Sequence, residues 1–278
     1  MRTAAFFVAL AIPAFGQIAL IPDTANLEAN IPYDQHPQSV LDVIAPKQPS
    51  SEKRPGVIYI HGGGWVGGSK DQVLERVRPW IDEGFVVANV EYRLAGVAPA
   101  PAAAQDVLKA AEWFRKNAKR WNVDNKRIVA TGTSAGAHLA LLAALAPKSA
   151  KLGSPAGLAA VVNFWGITDV ADVIGGPNAR DWGMKWVPES PERNELARRL
   201  SPISYVRKGV PPVLSIHGTA DETVPYDHAI NLTKKLRDAG ADAEMISVPG
   251  GAHPISMDQM KPVYPQIWEF LRRRGILK

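Results

Sequence analysis

Residues 127–145 read RIVATGTSAGAHLALLAAL. The first five residues are mostly β-branched and apolar, which predicts a strand over 127–131. The alanine and leucine run that follows predicts a helix over 135–145. Between them stands Gly132-Thr133-Ser134-Ala135-Gly136, a G-x-S-x-G pattern in the strand–turn–helix setting that gives it meaning. A serine presented on so sharp a turn leaves no room for side chains two positions away, so glycine is required on both sides. Small Ala135 and Ala137 let the helix press against the strand. The helix start also brings unpaired N–H groups and a positive dipole end to the Ser134 hydroxyl. A serine that merely caps a buried helix is the structural alternative. The setting favours a nucleophile.

Working outward, strand patterns at 40–44, 57–60, 85–90, 159–164, 213–216 and 244–248 alternate with helical patterns at 71–82, 102–120, 226–239 and 262–273. Near-continuous apolar strands imply a sheet covered on both faces. Strand–helix alternation makes that sheet mainly parallel and doubly wound, an α/β protein. The residues before Ser39 read as a polar lead, and Ser69-x-x-Gln72 predicts a capping box. The stretch at about 168–207 breaks the rhythm with Trp182, Met184, Trp186, several prolines and a charged helical piece at 191–200. It predicts a small cap insertion over the carboxyl edge of the sheet, within one domain spanning 17–278.

A serine nucleophile needs a general base, and an imidazole base needs an orienting acid. Six histidines are available. His36 lies in the polar lead, His61 ends a strand, and His138 is one helical turn beyond Ser134, where packing is expected. His217 ends a strand and is expected to bond backbone, and His228 sits early in an ordinary helix. His253 differs, standing in the loop Pro249-Gly250-Gly251-Ala252-His253-Pro254 directly after the last strand. In doubly wound sheets ligands gather beyond the carboxyl ends of strands. Asp221 falls there too, in Gly218-Thr219-Ala220-Asp221-Glu222-Thr223-Val224-Pro225. Its structural alternative is a helix-capping aspartate, and Glu222 and Asp169 are rival acids. The candidate triad is Ser134, Asp221 and His253.

Residues 61–68, HGGGWVGG, hold five glycines in eight positions. Gly62-x-Gly64-x-x-Gly67 satisfies a dinucleotide fingerprint after a strand, with Glu91 placed where a ribose-binding acid could sit. Against that reading, the helix starts only at Ser69, bulky Trp65 occupies the pyrophosphate segment, and the candidate triad is left without a task. A glycine run can instead present bare N–H groups to the oxyanion of an acyl-transfer intermediate, with the N–H of Ala135 as second donor.

The chain resembles α/β-hydrolase-fold serine esterases, in the hormone-sensitive-lipase-like and feruloyl/acetyl-esterase-like (BD-FAE-type) group. The resemblance runs from about Val40 to the C-terminus. It rests on His61-Gly62-Gly63-Gly64-Trp65, Glu91-Tyr92-Arg93-Leu94, Gly132-Thr133-Ser134-Ala135-Gly136, His217-Gly218-x-x-Asp221-x-x-Val224-Pro225 and Gly251-Ala252-His253. It implies an α/β-hydrolase fold, no cofactor, and Gly63 and Gly64 as oxyanion donors, with the N–H of Trp65 as an alternative. Thr133, Ala137 and the segment Ala95-Gly96-Val97-Ala98 depart from the pattern of many relatives and bear on substrate choice. Trp65, Trp165, Trp182 and Trp186 are candidates for the substrate pocket, with ordinary packing the alternative. The expected substrates are short acyl esters, acetyl or feruloyl groups on carbohydrates, with aryl-formamidase and small-ester lipase activity as alternatives. A non-catalytic binding relative of the fold is the alternative from another class.

Composition narrows the rest. Net charge is +5, and the 32 basic residues are spread along the chain, so no nucleic-acid partner is expected. Arg2, the apolar run 4–14 and Ala14-Phe15-Gly16 resemble an export signal over residues 1–16, cleaved near Gly16. That run is too short for a membrane anchor. With no cysteine there are no disulfides. No metal is expected, because no cluster has ligand spacing.

Overall fold

A computed structural model describes residues 21–278. The export-signal reading of residues 1–16 lies outside the described residues. Among the described residues, eight strands form one sheet in the order β1-β2-β4-β3-β5-β6-β7-β8. They are β1 (Ala25–Pro32), β2 (Val40–Pro46), β3 (Arg54–Ile60), β4 (Val86–Val90), β5 (Val123–Thr133), β6 (Ala160–Phe164), β7 (Val213–Gly218) and β8 (Ala243–Val248). β1 and β2 run antiparallel, while β4, β3, β5, β6, β7 and β8 pair in parallel. The doubly wound, mainly parallel sheet expected above is thus present.

Helices cover both faces, because strand side chains alternate between two apolar layers. Ile58 and Ile60 of β3 join one layer with α2 (Ala102–Asn117), α3 (Ala135–Leu145) and α7 (Asp227–Asp238). Val57 and Tyr59 join the other, with α1 (Leu74–Asp82) and α9 (Tyr264–Arg272). Between β6 and β7 the chain inserts the short helices α4 (Val170–Ile174), α5 (Asp181–Trp186) and α6 (Arg193–Arg199). A last short helix, α8 (Met257–Met260), follows the loop that carries His253.

Two readings are amended. The polar lead is not without regular structure: Ala25–Pro32 forms an antiparallel edge strand whose residues are mostly exposed or half-buried. An edge strand with one side in water tolerates Asn26, Glu28 and Asn30, which conceal it in the sequence. The capping box does not form either. The Ser69 side chain makes no capping bond, and Gln72 N–H bonds the Ser69 carbonyl at 3.2 Å. A 3₁₀ turn at Lys70–Val73 opens the segment, and Lys70 N–H goes to Glu91 Oε2 at 3.1 Å. No helix among the described residues is long and apolar enough to cross a membrane.

Candidate active site

Ser134 joins β5 to α3 with φ +54° and ψ −121°. A non-glycine residue in such a conformation stores of order 1–3 kcal/mol and needs surroundings that enforce it. Those surroundings are present. Ser134 N–H bonds the Phe164 carbonyl on β6 at 2.9 Å, and its own carbonyl accepts His138 N–H at 3.0 Å. A β-carbon at Gly132 or Gly136 would collide with the Ile60 carbonyl of β3. Ten of the eleven residues of α3 are buried, so the helix behind the serine is fixed in the core.

Asp221 and His253 follow β7 and β8, neighbours in the sheet, and main-chain bonds stitch their loops together. Thr219 N–H reaches the Val248 carbonyl and Ala220 N–H the Gly251 carbonyl, both at 3.0 Å. Gly218 and Gly251 touch, leaving no space for a side chain at either. This brings His253 Nδ1 to 2.7 Å from Asp221 Oδ2 and His253 Nε2 to 3.1 Å from Ser134 Oγ. With its Nδ1–H donated to Asp221, the imidazole leaves its Nε2 lone pair for the serine proton.

Asp221 caps no helix, because α7 begins only at Asp227 and has no side-chain cap; its carboxylate closes a turn and faces His253 at once. Its Oδ1 accepts Thr223 and Val224 N–H at 2.9 Å each, while Oδ2 faces His253. Behind it, His217 Nε2 lies 3.0 Å from the Val224 carbonyl and 3.2 Å from Asp221 Oδ2. Burial opposes ionisation of Asp221, but hydrogen bonds from His217 and His253, the His253 charge and the Val224 N–H outweigh it. The carboxyl is held well below the usual carboxylate range. Of the rivals, Glu222 is exposed, and Asp169 caps α4 by accepting Ala171 N–H at 3.0 Å. Asp169 lines a separate polar cavity of about 210 Å³ with Asp172, Asp227 and His228, to which none of the candidate triad contributes.

A cleft of about 570 Å³ opens over Ser134 and His253, lined also by Gly62, Gly63, Gly64, Val66, Trp165 and Trp182. Gly63 has φ +115°, and a β-carbon there would strike the Gly67 carbonyl. Among the described residues no acceptor takes the N–H of Gly63, Gly64 or Ala135. Trp65 does not line the cleft.

Trp165 and Trp182 reach the cleft, but Trp65 and Trp186 do not. Both are fully buried and stack on each other at 4.0 Å, because two indoles gain more from mutual burial than from a wet wall. Trp65 Nε1–H donates to His138 Nδ1 at 3.2 Å, and His138 Nε2–H donates to the Leu200 carbonyl at 2.7 Å. Burial pushes His138 down to about 3, so the ring is neutral, as these two bonds require.

Some neighbours of the site carried no chemical signal in the sequence. Arg76 of α1 bonds the Ile255 carbonyl at 2.8 Å and lies 5.1 Å from the Trp165 ring centre. Glu91 receives His61 Nε2 at 2.8 Å. The sequence did single out Glu91, as a possible ribose-binding acid and in Glu91-Tyr92-Arg93-Leu94, but not as the partner of His61. Among the described residues no three His, Asp or Glu side chains converge as a metal would require.

The family model described as BD-FAE matches residues 41–236. Esterase LipC of Mycobacterium tuberculosis is 30% identical over 240 residues, 81% of this chain and 59% of that protein. Esterase LipQ of the same organism is 29% identical, over 77% of this chain and 53% of its own length. The chain thus spans somewhat more than half the length of these curated relatives. Among solved structures, a truncated form of a carbohydrate esterase from gut microbiota superposes with TM-score 0.80 at 27% identity, covering 91% of this chain and 97% of that one. Thermogutta terrifontis Est2 with bound propionate superposes with TM-score 0.75 at 24% identity, covering 92% and 96%, a likeness of fold.

Proposed function

Because the chain belongs to the BD-FAE family and has the α/β-hydrolase fold, we propose that it is a serine carboxylic-ester hydrolase. Ser134 Oγ attacks the ester carbonyl carbon while His253 Nε2 takes the hydroxyl proton. Asp221 fixes the imidazole tautomer and stabilises the imidazolium that forms. The carbonyl oxygen becomes an oxyanion and receives the N–H groups of Gly63, Gly64 and Ala135. His253 then returns its proton to the departing alkoxide, and the alcohol leaves an acyl-serine. Water repeats the cycle: His253 takes its proton, hydroxide adds to the acyl carbon, and the acid departs as Ser134 regains its proton. One observation carries this reading: His253 lies 3.1 Å from Ser134 Oγ and 2.7 Å from Asp221 Oδ2, on the wall of an open cleft.

The substrates proposed are short-chain acyl esters, acetyl or feruloyl groups on carbohydrates. The cleft supports this, being walled by Trp165, Trp182, Val66 and backbone, with His253 its one titratable side chain among the described residues apart from hydroxyls. The structural relative at 27% identity, a carbohydrate esterase from gut microbiota, points the same way. The apolar run 4–14 supports export with cleavage near Gly16, to be checked by N-terminal sequencing of the mature protein. No cofactor and no nucleic-acid partner enter the proposal.

The test is hydrolysis of p-nitrophenyl acyl esters, acetylated xylan, methyl ferulate and N-formylkynurenine by the wild type and Ser134→Ala. Turnover of acetyl or feruloyl substrates that is lost in Ser134→Ala supports the proposal. Preferential cleavage of the formamide assigns an aryl-formamidase instead. No turnover, together with no labelling by a fluorophosphonate, leaves a binding relative of the fold.

A further inference from the structure

The segment inserted between β6 and β7 is closed at its root, where Ile203 N–H bonds the Thr168 carbonyl at 3.1 Å. His228 of α7 stands at this root and is 5% exposed. Its Nδ1 accepts the N–H of Thr168 at 3.0 Å and, more weakly at 3.4 Å, that of Asp169. A backbone N–H only donates, so Nδ1 holds a lone pair and the ring hydrogen sits on Nε2, 3.1 Å from Asp172 Oδ2 of α4. One neutral imidazole thus ties both the entry of the insertion and its first helix to α7. A proton on Nδ1 would set a donor against two donors. The acceptor within its reach is Thr168 Oγ1 at 3.2 Å, and turning to it would leave the fully buried Thr168 N–H unpaired.

The charged and titratable groups around the ring are Asp169 and Asp172 of the insertion, Asp227 beside it on α7, His217 of β7 and His138 of α3. Burial holds the ring below the ordinary histidine range, against the pull of Asp172, so the closed root favours the neutral form. Protons have a way in, because His228 lines the polar cavity of about 210 Å³ with exposed Asp227 and Asn231. The root also bears on the cleft. Arg180 N–H bonds the Val173 carbonyl of α4 at 3.0 Å, and a β-carbon at Gly183 of α5 would come within 2.5 Å of the same carbonyl. Beside Gly183, Trp182 rests on Gly64 at the cleft. We propose that His228 is a positioning residue for acyl-chain specificity: neutral, it holds the inserted segment over the cleft, and protonated, it lets the root open. Acid then widens the range of acyl chains admitted. The proposal rests on the esterase reading for its catalytic readout.

The test is the ratio of kcat/KM for p-nitrophenyl octanoate to that for the acetate, measured from about pH 8 to about pH 5. Both esters need the same triad, so its titration cancels in the ratio. In the wild type the ratio should rise about fivefold towards the acid end, as a few methylenes find room. His228→Asn can offer its Oδ1 to the Thr168 N–H but takes up no proton, and its ratio should stay flat. Trp182→Ala should be flat at a raised value, having lost the side chain through which the root acts. Amide hydrogen exchange needs no substrate: protection of residues 168–174 and 181–186 should fall over the same pH range while that of β5 holds. Asp172→Asn, which withdraws the charge that draws the proton on, should move that fall to lower pH. A wild-type ratio that ignores pH overturns the proposal, as does one that rises equally in His228→Asn. If His228→Asn does not fold, exchange in the wild type and Asp172→Asn decides, and unchanged protection overturns the proposal. A wild type that cleaves no ester overturns the esterase reading, and the opening of the root then stands or falls on exchange alone.

Discussion

The Trp182 side chain rests directly on Gly64: a β-carbon at Gly64 would lie 2.9 Å from Trp182 Cβ and Cγ. The segment inserted between β6 and β7 therefore bears on the backbone proposed to hold the oxyanion, and its indole limits the space above it. Trp182→Ala should lift that limit. In a p-nitrophenyl series from acetate to octanoate, kcat/KM for the longer chains should rise about 10-fold relative to acetate, since a few methylenes gained in an apolar pocket are worth that much. An unchanged profile would show that Trp182 does not bound the acyl group.

Ser134→Ala should lose about 10⁶ in kcat, as triad nucleophiles do, while melting close to the wild type. Ser134→Gly should be equally inactive yet more stable by roughly 1 kcal/mol, because glycine tolerates the positive φ that serine is forced to adopt. Urea denaturation of the three proteins separates the outcomes. Equal stability of the alanine and glycine variants would mean that the elbow stores no strain.

Asp221→Asn should cost about 10⁴ in kcat by favouring the wrong tautomer of His253. It should also lower stability at neutral pH. The folded carboxyl titrates below its unfolded value, so its stabilisation is present above the ordinary carboxylate range and is lost as pH falls through that range and below. Urea midpoints of wild type and Asp221→Asn should therefore begin to draw together below about pH 5 and go on doing so below about pH 3. A constant gap would contradict the depressed titration.

The fold of this chain was legible wherever a strand is buried on both faces, since such strands read as unbroken apolar runs. The candidate loops were legible because Ser134 and Asp221 follow two of those strands, while His253 stands in a Gly/Pro loop after β8, a half-buried edge strand. Other features were not, for definite reasons. β1 is a polar edge strand with no apolar alternation to reveal it. Trp65 and Trp186 look like pocket walls in sequence, yet they bury each other, and nothing local says which face of a loop an indole will take. The His61–Glu91 contact joins residues thirty apart across two neighbouring strands, a distance that only the register of β3 and β4 closes.

His138 carries a prediction for acid stability. Its folded value of about 3 lies below that of an unfolded histidine, so folding favours the neutral ring. Stability is then complete above about pH 6.5 and falls by roughly 1.4 kcal/mol per unit as pH drops from there towards 3. His138→Gln, which can still donate to the Leu200 carbonyl, should flatten that slope by about one proton. A slope equal to that of the wild type would place the acid sensitivity elsewhere.

The contact between Gly218 and Gly251 has a consequence for how the proposed active site can diverge. The spacing of Asp221 and His253 is set where two main chains meet, so it does not depend on which side chains surround the cleft. Cleft residues such as Val66 and Trp182 can be exchanged without moving the contact of Asp221 with His253, whereas one residue inserted between Gly218 and Asp221, or between Gly251 and His253, would break it. The proposed site is therefore open to a changed cleft by substitution and closed to change by insertion at those two short spans.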